Sequence, residues 1–314
     1  MGMGLYLDFA DGHSPIELTA NLRAPSFCRR IDFSTGGNRA RIDEWVPGSE
    51  FLIIPRNCVQ TAQVQNQGKV WRVLNHFFVE NNNEIVFRTW ASNLGGNQSF
   101  NAVWDSTVWQ ILPVGGGNYG LYIQNSTNFA EISDASRVGS CVFVGTVHID
   151  GDWRVPDIGG VNRGTHVCFA RWSAGGVTLS FDGEIVRARH EGGSNAQVDV
   201  NIAVFAQAPI EAPSGQWGLA ILNRSNQVTF STKRRPFIWD GFKLGLSRDW
   251  RDIGNRMVSL GRYGVIAHDG GHHLLGFQMD GNNVRLASGE RIDSDSKQFE
   301  EWMAGEVPCI QSIF

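Results

Sequence analysis

Apolar and polar residues alternate with a period of two along much of this chain, in short runs that end at Gly, Asn or Ser. The clearest series predicts strands at residues 167–172, 177–181, 184–188 and 198–205. Between them lie Gly-rich and Asp-Gly turns, because glycine supplies the backbone freedom that tight hairpins need. Short strands at regular spacing are typical of sandwiches and open barrels. The pattern therefore predicts an all-β fold of antiparallel, β-sandwich-like modules.

Two stretches carry a faint helical pattern, residues 250–260 and 296–303. Both are short for a helix in a globular domain, so a loop is the alternative for each. Helix-forming runs of Ala, Leu, Glu and Lys are missing elsewhere in the sequence.

A gapless internal repeat organises the chain. Residues 119–137 align with residues 217–235, 98 positions later, and share Gly, Leu, Ile, two Asn, Ser and a final Arg. Residues 4–23 form a looser third copy with a two-residue insertion. In each copy an alternating apolar segment, a polar turn and a second apolar segment predict a β-hairpin. The sequence therefore predicts one module, opened by a hairpin, that occurs about three times.

Later parts of the module recur as well, since residues 83–88 echo residues 183–187. The glycine-rich loop at 114–118 and the proline-containing loop at 209–215 supply the boundaries. The third module is the most divergent after its opening hairpin. We predict β modules at residues 1–115, 116–213 and 214–314.

Composition narrows the function classes. Hydrophobic residues make up 42% and charged residues 18% of the chain, with 37 Gly, 11 Trp and 19 Phe, which suits pleated sheets joined by tight turns. A net charge of −4 and a pI near 6.1 argue against nucleic acid as a partner. No apolar run is long enough for membrane insertion, and the N-terminus lacks a secretory signal pattern, so we expect synthesis in a cytoplasm.

The five cysteines are scattered and contain no C-x-x-C pair, and several lie inside apolar runs. This usage predicts free core thiols in a protein folded under reducing conditions. The cysteines are Cys28, Cys58, Cys141, Cys168 and Cys309.

Two sequence features contain residues that could bind a metal ion. The segment from His268 through Asp269 to His272 and His273 could supply imidazole and carboxylate ligands, but its Asp-Gly-Gly centre between apolar flanks favours a hairpin turn. The acidic pairs Asp150/Asp152 and Asp293/Asp295 could bind calcium or act as glycosidase carboxylates. Carboxylates beside Gly or Ser are commonest in exposed turns, so we predict no metal.

Three tryptophans, Trp90, Trp104 and Trp109, are the candidate ligand-binding residues. The segment between them contains Asn93, Asn97, Gln98 and Asn101. Exposed Trp beside Asn and Gln is a common way to hold a sugar, whereas Trp packed between two sheets gives the same sequence pattern. The alternatives are thus a ligand surface and a core.

Sequence motifs of a catalytic nucleophile, a phosphate-binding loop or a zinc protease are not found. We therefore expect a non-enzymatic protein without catalytic residues or cofactors.

The repeated hairpin resembles a motif in tail-associated proteins of tailed bacteriophages, encoded near tail-tip and tail-fibre genes. The shared features are an aromatic-Gly-Leu-x-Ile-x-Asn opening, a turn, and a Val-x-Phe-Ser return strand followed by Arg. Residues 217–239 match best, completed by Arg235, Pro236 and Phe237, and residues 119–137 follow. The N-terminal copy has Met3 at the aromatic position and Phe9 in place of Asn.

The resemblance implies a virion structural protein, tail- or tail-tip-associated, that acts in assembly and in attachment to the host surface. Its expected partners are other virion proteins and a host glycan or receptor, and analogy with receptor-binding proteins favours a homo-oligomer. Such a protein would be made in the host cytoplasm and assembled into the virion. The alternatives are a carbohydrate-binding β-sandwich protein and a glycan-degrading enzyme.

Overall fold

The computed structural model confirms the all-β class. Apart from one 3₁₀ turn at Arg163–Thr165, every regular element among the described residues is a strand, and all strand pairings within sheets are antiparallel. The structure describes residues 4–9, 11–19, 22–32, 38–64, 68–92, 104–113, 120–125, 128–133, 138–213, 218–223, 225–268, 270–294 and 299–314.

The described residues of the first module region contain nine strands. They are β1 (Gly4–Leu7), β2 (Ile16–Thr19), β3 (Ser26–Ile31), β4 (Arg39–Arg41), β5 (Glu50–Asn57), β6 (Val59–Val64), β7 (Gly68–Glu80), β8 (Glu84–Ala91) and β9 (Asp105–Ile111).

In the second region, eight strands lie within the part that the structure describes. They are β10 (Gly120–Asn125), β11 (Asn128–Ser133), β12 (Ser140–Asp150), β13 (Asp152–Arg154), β14 (Val167–Arg171), β15 (Thr178–Phe181), β16 (Ile185–Arg189) and β17 (Gln197–Ala206).

The third region has ten strands among its described residues. They are β18 (Ala220–Leu222), β19 (Val228–Ser231), β20 (Lys243–Gly245), β21 (Arg251–Asp252), β22 (Arg256–Ser259), β23 (Gly264–His268), β24 (Gly271–Asp280), β25 (Asn283–Arg291), β26 (Glu300–Trp302) and β27 (Glu306–Gln311).

Each of the three predicted hairpins is present as a two-stranded sheet of its own: β1–β2, β10–β11 and β18–β19. The looser N-terminal copy thus folds like the other two. The strands predicted between residues 167 and 205 are confirmed as β14 to β17, to within one residue at their ends.

The same sheet topology occurs after each of the three hairpins. In each region the first, last and third main strands pair in that order, as β3-β9-β5, β12-β17-β14 and β20-β27-β22. A second set of strands pairs as β4-β8-β7, β13-β16-β15 and β21-β25-β24. The strands β8 and β16, whose sequences echo each other, occupy equivalent places. The duplication in sequence is therefore a duplication in topology.

Modules 2 and 3 share both of their sheets. Strand β14 pairs with β22 through Phe169–Ser259 and Ala170–Val258, which yields a six-stranded sheet. Strand β15 pairs with β24 through Thr178–Gln278 and Leu179–Phe277, which joins the other sheets. One apolar core then runs through all three modules, and it includes Phe87, Phe181 and Phe277.

The two faint helices were a wrong prediction. Residues 250–260 contain β21 and β22, and residues 299–303 contain β26, while 295–298 lie outside the described residues. Gly254 adopts a φ of +60°, which interrupts any helix at this point. Met257 and Val258 are both buried because β22 lies between β14 and β27 with apolar neighbours on both faces. Burial on both faces removes the period-two pattern that marks a half-buried strand.

Candidate interaction surface at the junction of the three modules

Three short backbone ladders join the segments that directly follow the three hairpins. The ladders link module 1 to module 2, module 2 to module 3, and module 3 to module 1. They therefore close a ring, called here the junction ring (residues 23–26, 138–141 and 235–239). The bridges are antiparallel and pair Ser26 with Val138, Ser140 with Pro236, and Arg23 with Trp239.

Backbone hydrogen bonds stabilise every side of the junction ring. On the side between modules 3 and 1, Arg23 and Trp239 exchange two bonds of 2.8 and 2.9 Å. Between modules 2 and 3, Cys141 N donates to Arg235 O at 2.7 Å and Phe237 N donates to Gly139 O at 2.6 Å. Between modules 1 and 2, Gly139 N donates to Pro25 O at 3.3 Å.

The three ladders have the same register. Each module's hairpin motif ends at an arginine, Arg23, Arg137 or Arg235, and positions can be counted from it. With the arginine as position zero, positions 3 and 1 pair in the first two bridges, and positions 0 and 4 pair in the third. The two paired positions therefore add up to four in every ladder. Because that sum is constant along an antiparallel ladder, equal sums mean equal registers. The ring thus has pseudo-threefold symmetry in its backbone pairing.

Aromatic side chains from two modules pack beneath the ring against a glycine of the third. The Trp109 ring lies 5.1 Å from the Phe27 ring and 5.2 Å from the Phe237 ring, both edge-on. A Cβ atom on Gly139 would lie 2.5 Å from Trp109 Cζ3, closer than real Cβ contacts. Gly139 is therefore required here so that the indole can pack against the ring backbone.

The first and third hairpins contact a small apolar cluster. Its buried members are Val138, Ile221 and Phe230, and Leu7 and Ile16 of the first hairpin pack against them. A two-stranded hairpin is marginally stable alone, so this cluster and the junction ring hold these two hairpins in place.

The first and third hairpins carry exposed apolar side chains. Tyr6 is 65%, Leu222 is 45% and Leu219 is 39% exposed, and Asp8 is exposed as well. These four residues are called here the hairpin surface. Tyr6 and Asp8 hold the second and fourth positions after the motif glycine, and Leu222 holds the fourth, so the outward positions correspond between modules 1 and 3.

An ion pair connects the motif arginine of module 3 to the hairpin turn of module 1. The Arg235 side chain is 2% exposed and makes two bonds to Asp11, Nε–Oδ2 at 2.6 Å and Nη2–Oδ1 at 2.7 Å. It also donates to the carbonyl oxygens of His13 and Ser14. The Arg235 hydrogen bond outweighs the effect of burial and lowers the pKa of Asp11 from 3.8 to about 2.

A buried ion network, which the sequence analysis does not predict, lies where module 1 meets modules 2 and 3. Asp105 accepts from Arg56 Nη2 at 2.5 Å and from Arg30 Nε at 2.9 Å. Arg56 is 1% exposed and also donates to the carbonyl oxygen of His166 in module 2. The backbone of residues 56–58 pairs with Arg262 of module 3. An arginine after the apolar run Ile53-Ile54-Pro55 signals burial, but its partner is distant in sequence.

The network continues on the side of modules 2 and 3. Asp182 binds Arg187 at 2.5 Å and lies 3.6 Å from Arg262, while Glu290 binds Arg262 at 2.7 Å. Burial raises the pKa of Asp182, but the Ile185 N–H, Arg187 and Arg262 outweigh it and hold that pKa below its usual value. These carboxylates are therefore engaged with arginines as structural ion pairs.

The three predicted tryptophans lie in different surroundings. Trp104 and Trp109 are fully buried, in the two largest apolar clusters. Trp90 is half-buried, and its ring lies 5.3 Å from the ring of Phe299. The structure therefore places Trp104 and Trp109 in the core, and a ligand role for Trp90 stays a prediction. Residues 93–100 and Asn101, the polar part of that stretch, lie outside the described residues.

A different tryptophan lines an open groove in module 1. The groove has a volume of about 570 Å³ and is bordered by Trp45, Ser49, Glu50, Asn81 and Asn82. Both asparagines are exposed in the β7–β8 turn, where each adopts a positive φ. The Trp45 indole is half-buried and donates to Ser49 O at 3.4 Å. Aromatic, amide and carboxylate groups thus face one open groove.

The histidine segment forms the predicted hairpin between β23 and β24. His272 and His273 are fully buried. Nδ1 of His272 lies 2.7 Å from Asp293 Oδ1, and Nδ1 of His273 lies 3.2 Å from Gly289 O. Asp269 lies outside the described residues. Among the residues that are described, no cluster of His, Cys, Asp or Glu has the arrangement of a metal site.

In each acidic pair, one carboxylate is engaged by a basic side chain. Asp152 binds Arg189 at 2.6 Å, and Asp150 is exposed at the end of β12. Asp293 is engaged by His272, while Asp295 lies outside the described residues.

All five cysteines are free and buried, as predicted. Burial raises the pKa of Cys141 to about 12 and raises the pKa of Cys58, Cys168 and Cys309 further. The thiols of these four residues are therefore protonated and unreactive at neutral pH.

No helix in the described part of the chain could span a bilayer.

Comparison with known proteins places the chain in one family. No curated protein and no solved structure matches the chain. A family model matches residues 4–297, and the chain therefore belongs to the family of unknown function DUF6453.

Proposed function

We propose that this member of the DUF6453 family is a structural protein of a bacteriophage virion, located at the tail or tail tip. It acts in assembly and contributes to attachment to the host surface. The hairpin motif, which resembles that of phage tail-associated proteins, supports the location. Its function is to bind neighbouring virion proteins, without catalysis.

One observation carries this proposal: three hairpin-opened modules are fused around the junction ring, and the first and third hairpins expose Tyr6, Leu219 and Leu222. Exposed large apolar side chains recur at protein interaction sites. The shared sheets and the continuous core suit a part that keeps its shape in an assembly. The described carboxylates of the junction are occupied by arginines, which favours a structural role.

Mass spectrometry of purified phage particles tests the proposal. We expect the chain in intact particles at a fixed copy number, and we expect it to stay with tails after they are separated from heads. Recovery of the chain only from the lysate supernatant, with none in the particles, would refute the virion role.

A second candidate function is glycan binding at the groove of Trp45. The supporting observation is the arrangement of one aromatic ring, two exposed amides and a carboxylate around an open groove. Sugars stack on aromatic rings and form hydrogen bonds with such groups.

A glycan array followed by calorimetry on each hit tests the second candidate. We expect Trp45→Ala to abolish binding. Trp250→Ala is the matched control, because Trp250 is 42% exposed but lies outside the groove. No binding to any glycan, or equal loss in both variants, would remove this candidate.

A further inference from the structure

We propose that strand β12 of module 2 pairs with β12 of a second copy of this chain, antiparallel about a twofold axis, so that two six-stranded sheets become one. The interface is the free edge of β12, residues 143–150. This inference goes beyond the virion role and does not depend on it, because it concerns the contact between two identical chains.

The far edge of β12 carries backbone groups that have no partner in the described part of the chain. β12 is the terminal strand of the six-stranded sheet and pairs with β17 along its length. Among the described residues, a second neighbour lies only beside its beginning, where Ser140 and Cys141 contact the module 3 segment of the junction ring. In an antiparallel ladder every second residue of an edge strand points its N–H and C=O away from the sheet. Residues 143–150, about 27 Å of strand, therefore present a row of donors and acceptors that matches another extended polypeptide segment.

The equivalent edges of the other two modules are protected, whereas that of β12 is not. Strands β3 and β20 hold the place of β12 in modules 1 and 3. β3 carries Arg29 and Arg30, and β20 is three residues long and begins with Lys243. Charged side chains and short length are common protection of a sheet edge against pairing. Residues 142–149 contain no Lys, Arg, Asp or Glu, so the long edge of β12 lacks both kinds of protection.

The apolar layer beneath β12 is open at this edge. Phe143 and Val147 pack against the main core, as does Trp153 of β13, yet all three are only half-buried. β13 is itself the terminal strand of the other sheet, and its Trp153 ring lies 5.0 Å from the Phe143 ring. On the opposite face of β12, Thr146 and His148 are exposed. A segment that covers this edge must therefore be apolar on one face and polar on the other.

A second copy of β12 meets these requirements. A twofold axis perpendicular to the sheet makes the two strands antiparallel and keeps the inner faces of both on the same side. Opposed residues of an antiparallel ladder have side chains on the same face, so the half-buried apolar side chains of each copy would pack against those of the other. Self-pairing also sets no lysine, arginine or carboxylate of residues 142–149 against its own copy.

Analytical ultracentrifugation of the purified chain over a concentration series measures the self-association. We expect an equilibrium between one and two chains of 34.7 kDa. Val147→Lys should raise the dimer dissociation constant by about a hundredfold, because two unpaired ammonium groups would lose water in the joined core. In the monomer the lysine stem can reach solvent past the open edge, and thermal melting checks that the fold is kept.

Val79→Lys is the matched control. Val79 is 42% exposed on β7, which has neighbouring strands on both sides and therefore offers no free edge. We expect this variant to leave the dissociation constant unchanged.

Deuterium exchange of backbone amides identifies the paired strand in the unmodified chain, independently of any substitution. Above the dissociation constant, we expect the outward amides of residues 143–150 to exchange more slowly than in the dilute chain, because each is then bonded to the second copy. In Val147→Lys they should exchange rapidly at both concentrations.

A chain that is monomeric at every concentration, or a dimer whose β12 amides exchange as fast as in the dilute chain, would overturn the inference. Equal dissociation constants for Val147→Lys and Val79→Lys would overturn it too. If the chain is monomeric and its β12 amides become protected only in assembled particles, the edge binds a strand of another virion protein, which overturns the inference and leaves the virion role standing. Absence of the chain from particles would instead refute the proposed function and leave this inference untouched.

Discussion

Arg235 and Asp11, 224 positions apart in sequence, form a two-bond ion pair that fastens the first hairpin turn to the third module. The arginine is the last residue of the repeated hairpin motif, and the aspartate lies in the turn of another copy. The repeated motif is thus also part of the contact between modules. Two copies of the repeat are therefore in direct contact, and substitution of either residue tests that contact.

Asp11→Asn removes the charge that faces the buried guanidinium of Arg235. We expect the free energy of unfolding to fall by about 3 kcal/mol, the lower end for a broken buried ion pair, because Asp11 itself stays partly exposed. Urea unfolding followed by tryptophan fluorescence measures the change. The control is Glu211→Gln, which removes the partner of Lys233 in an exposed pair and should leave the midpoint unchanged. Equal effects of the two substitutions would contradict the role of Asp11.

Gly139→Ala places a Cβ atom against the indole of Trp109. Because the two atoms would lie 2.5 Å apart, the indole or the ring backbone must shift, and we expect a loss of about 1–3 kcal/mol in unfolding free energy. Gly159→Ala is the matched control, since no atom lies within 4 Å of its added Cβ. A Gly139→Ala protein as stable as that control would show that Trp109 does not pack against the ring as described.

Asp105→Asn leaves the buried Arg56 without its counter-charge. Breaking a buried ion pair from one side costs about 3–5 kcal/mol, so we expect the variant to be among the least stable of all single substitutions. Asp157→Asn is the control, because that carboxylate is exposed and lies 3.8 Å from Arg163. Differential scanning calorimetry compares them. Similar melting temperatures for both variants would contradict a structural role for the buried network.

Stability should also depend on the protonation of His166. Its side chain is buried, neither ring nitrogen has a hydrogen-bond partner among the described residues, and burial together with Arg163 and Arg56 lowers its pKa from 6.5 to about 4. Because the pKa of this histidine is lower in the folded state, the unfolded chain binds its proton more tightly. Protonation at acid pH therefore favours unfolding. Its contribution to stability is therefore complete above pH 6.5 and is lost as the pH falls towards 4.

His166→Leu should flatten this part of the pH profile, because leucine does not titrate. Urea midpoints measured between pH 7 and pH 4 compare the variant with the unmodified chain. A slope between pH 6.5 and pH 4 that is the same in both proteins would contradict the assignment.

Local features could be predicted from the sequence because their causes are local. The strands at 167–205 follow from alternation bounded by Gly turns, and the hairpins follow from a repeated apolar-turn-apolar pattern. Strand β22 cannot be predicted from alternation, because Met257 and Val258 are both buried and the alternation is absent. The sequence does not decide whether Trp104 and Trp109 are buried, because the same residue types occur in a core and in a sugar-binding surface.

Long-range features could not be predicted. The ring ladders and the pair of Arg56 with Asp105 join residues that are far apart in the chain, and nothing in their local sequence identifies the partner. The motif arginines were visible as a repeated end point, and they mark where the junction ring begins. The cyclic arrangement of the modules cannot be predicted from the sequence, because that arrangement depends on packing in three dimensions.

A cryo-EM reconstruction of the intact particle, refined without imposed symmetry at the tail, tests the central claim most directly. The account predicts density for this chain at the tail or its tip, with Tyr6 and Leu222 facing a neighbouring virion protein. A reconstruction in which every tail component is assigned and none of the density fits the three-module fold would contradict the account.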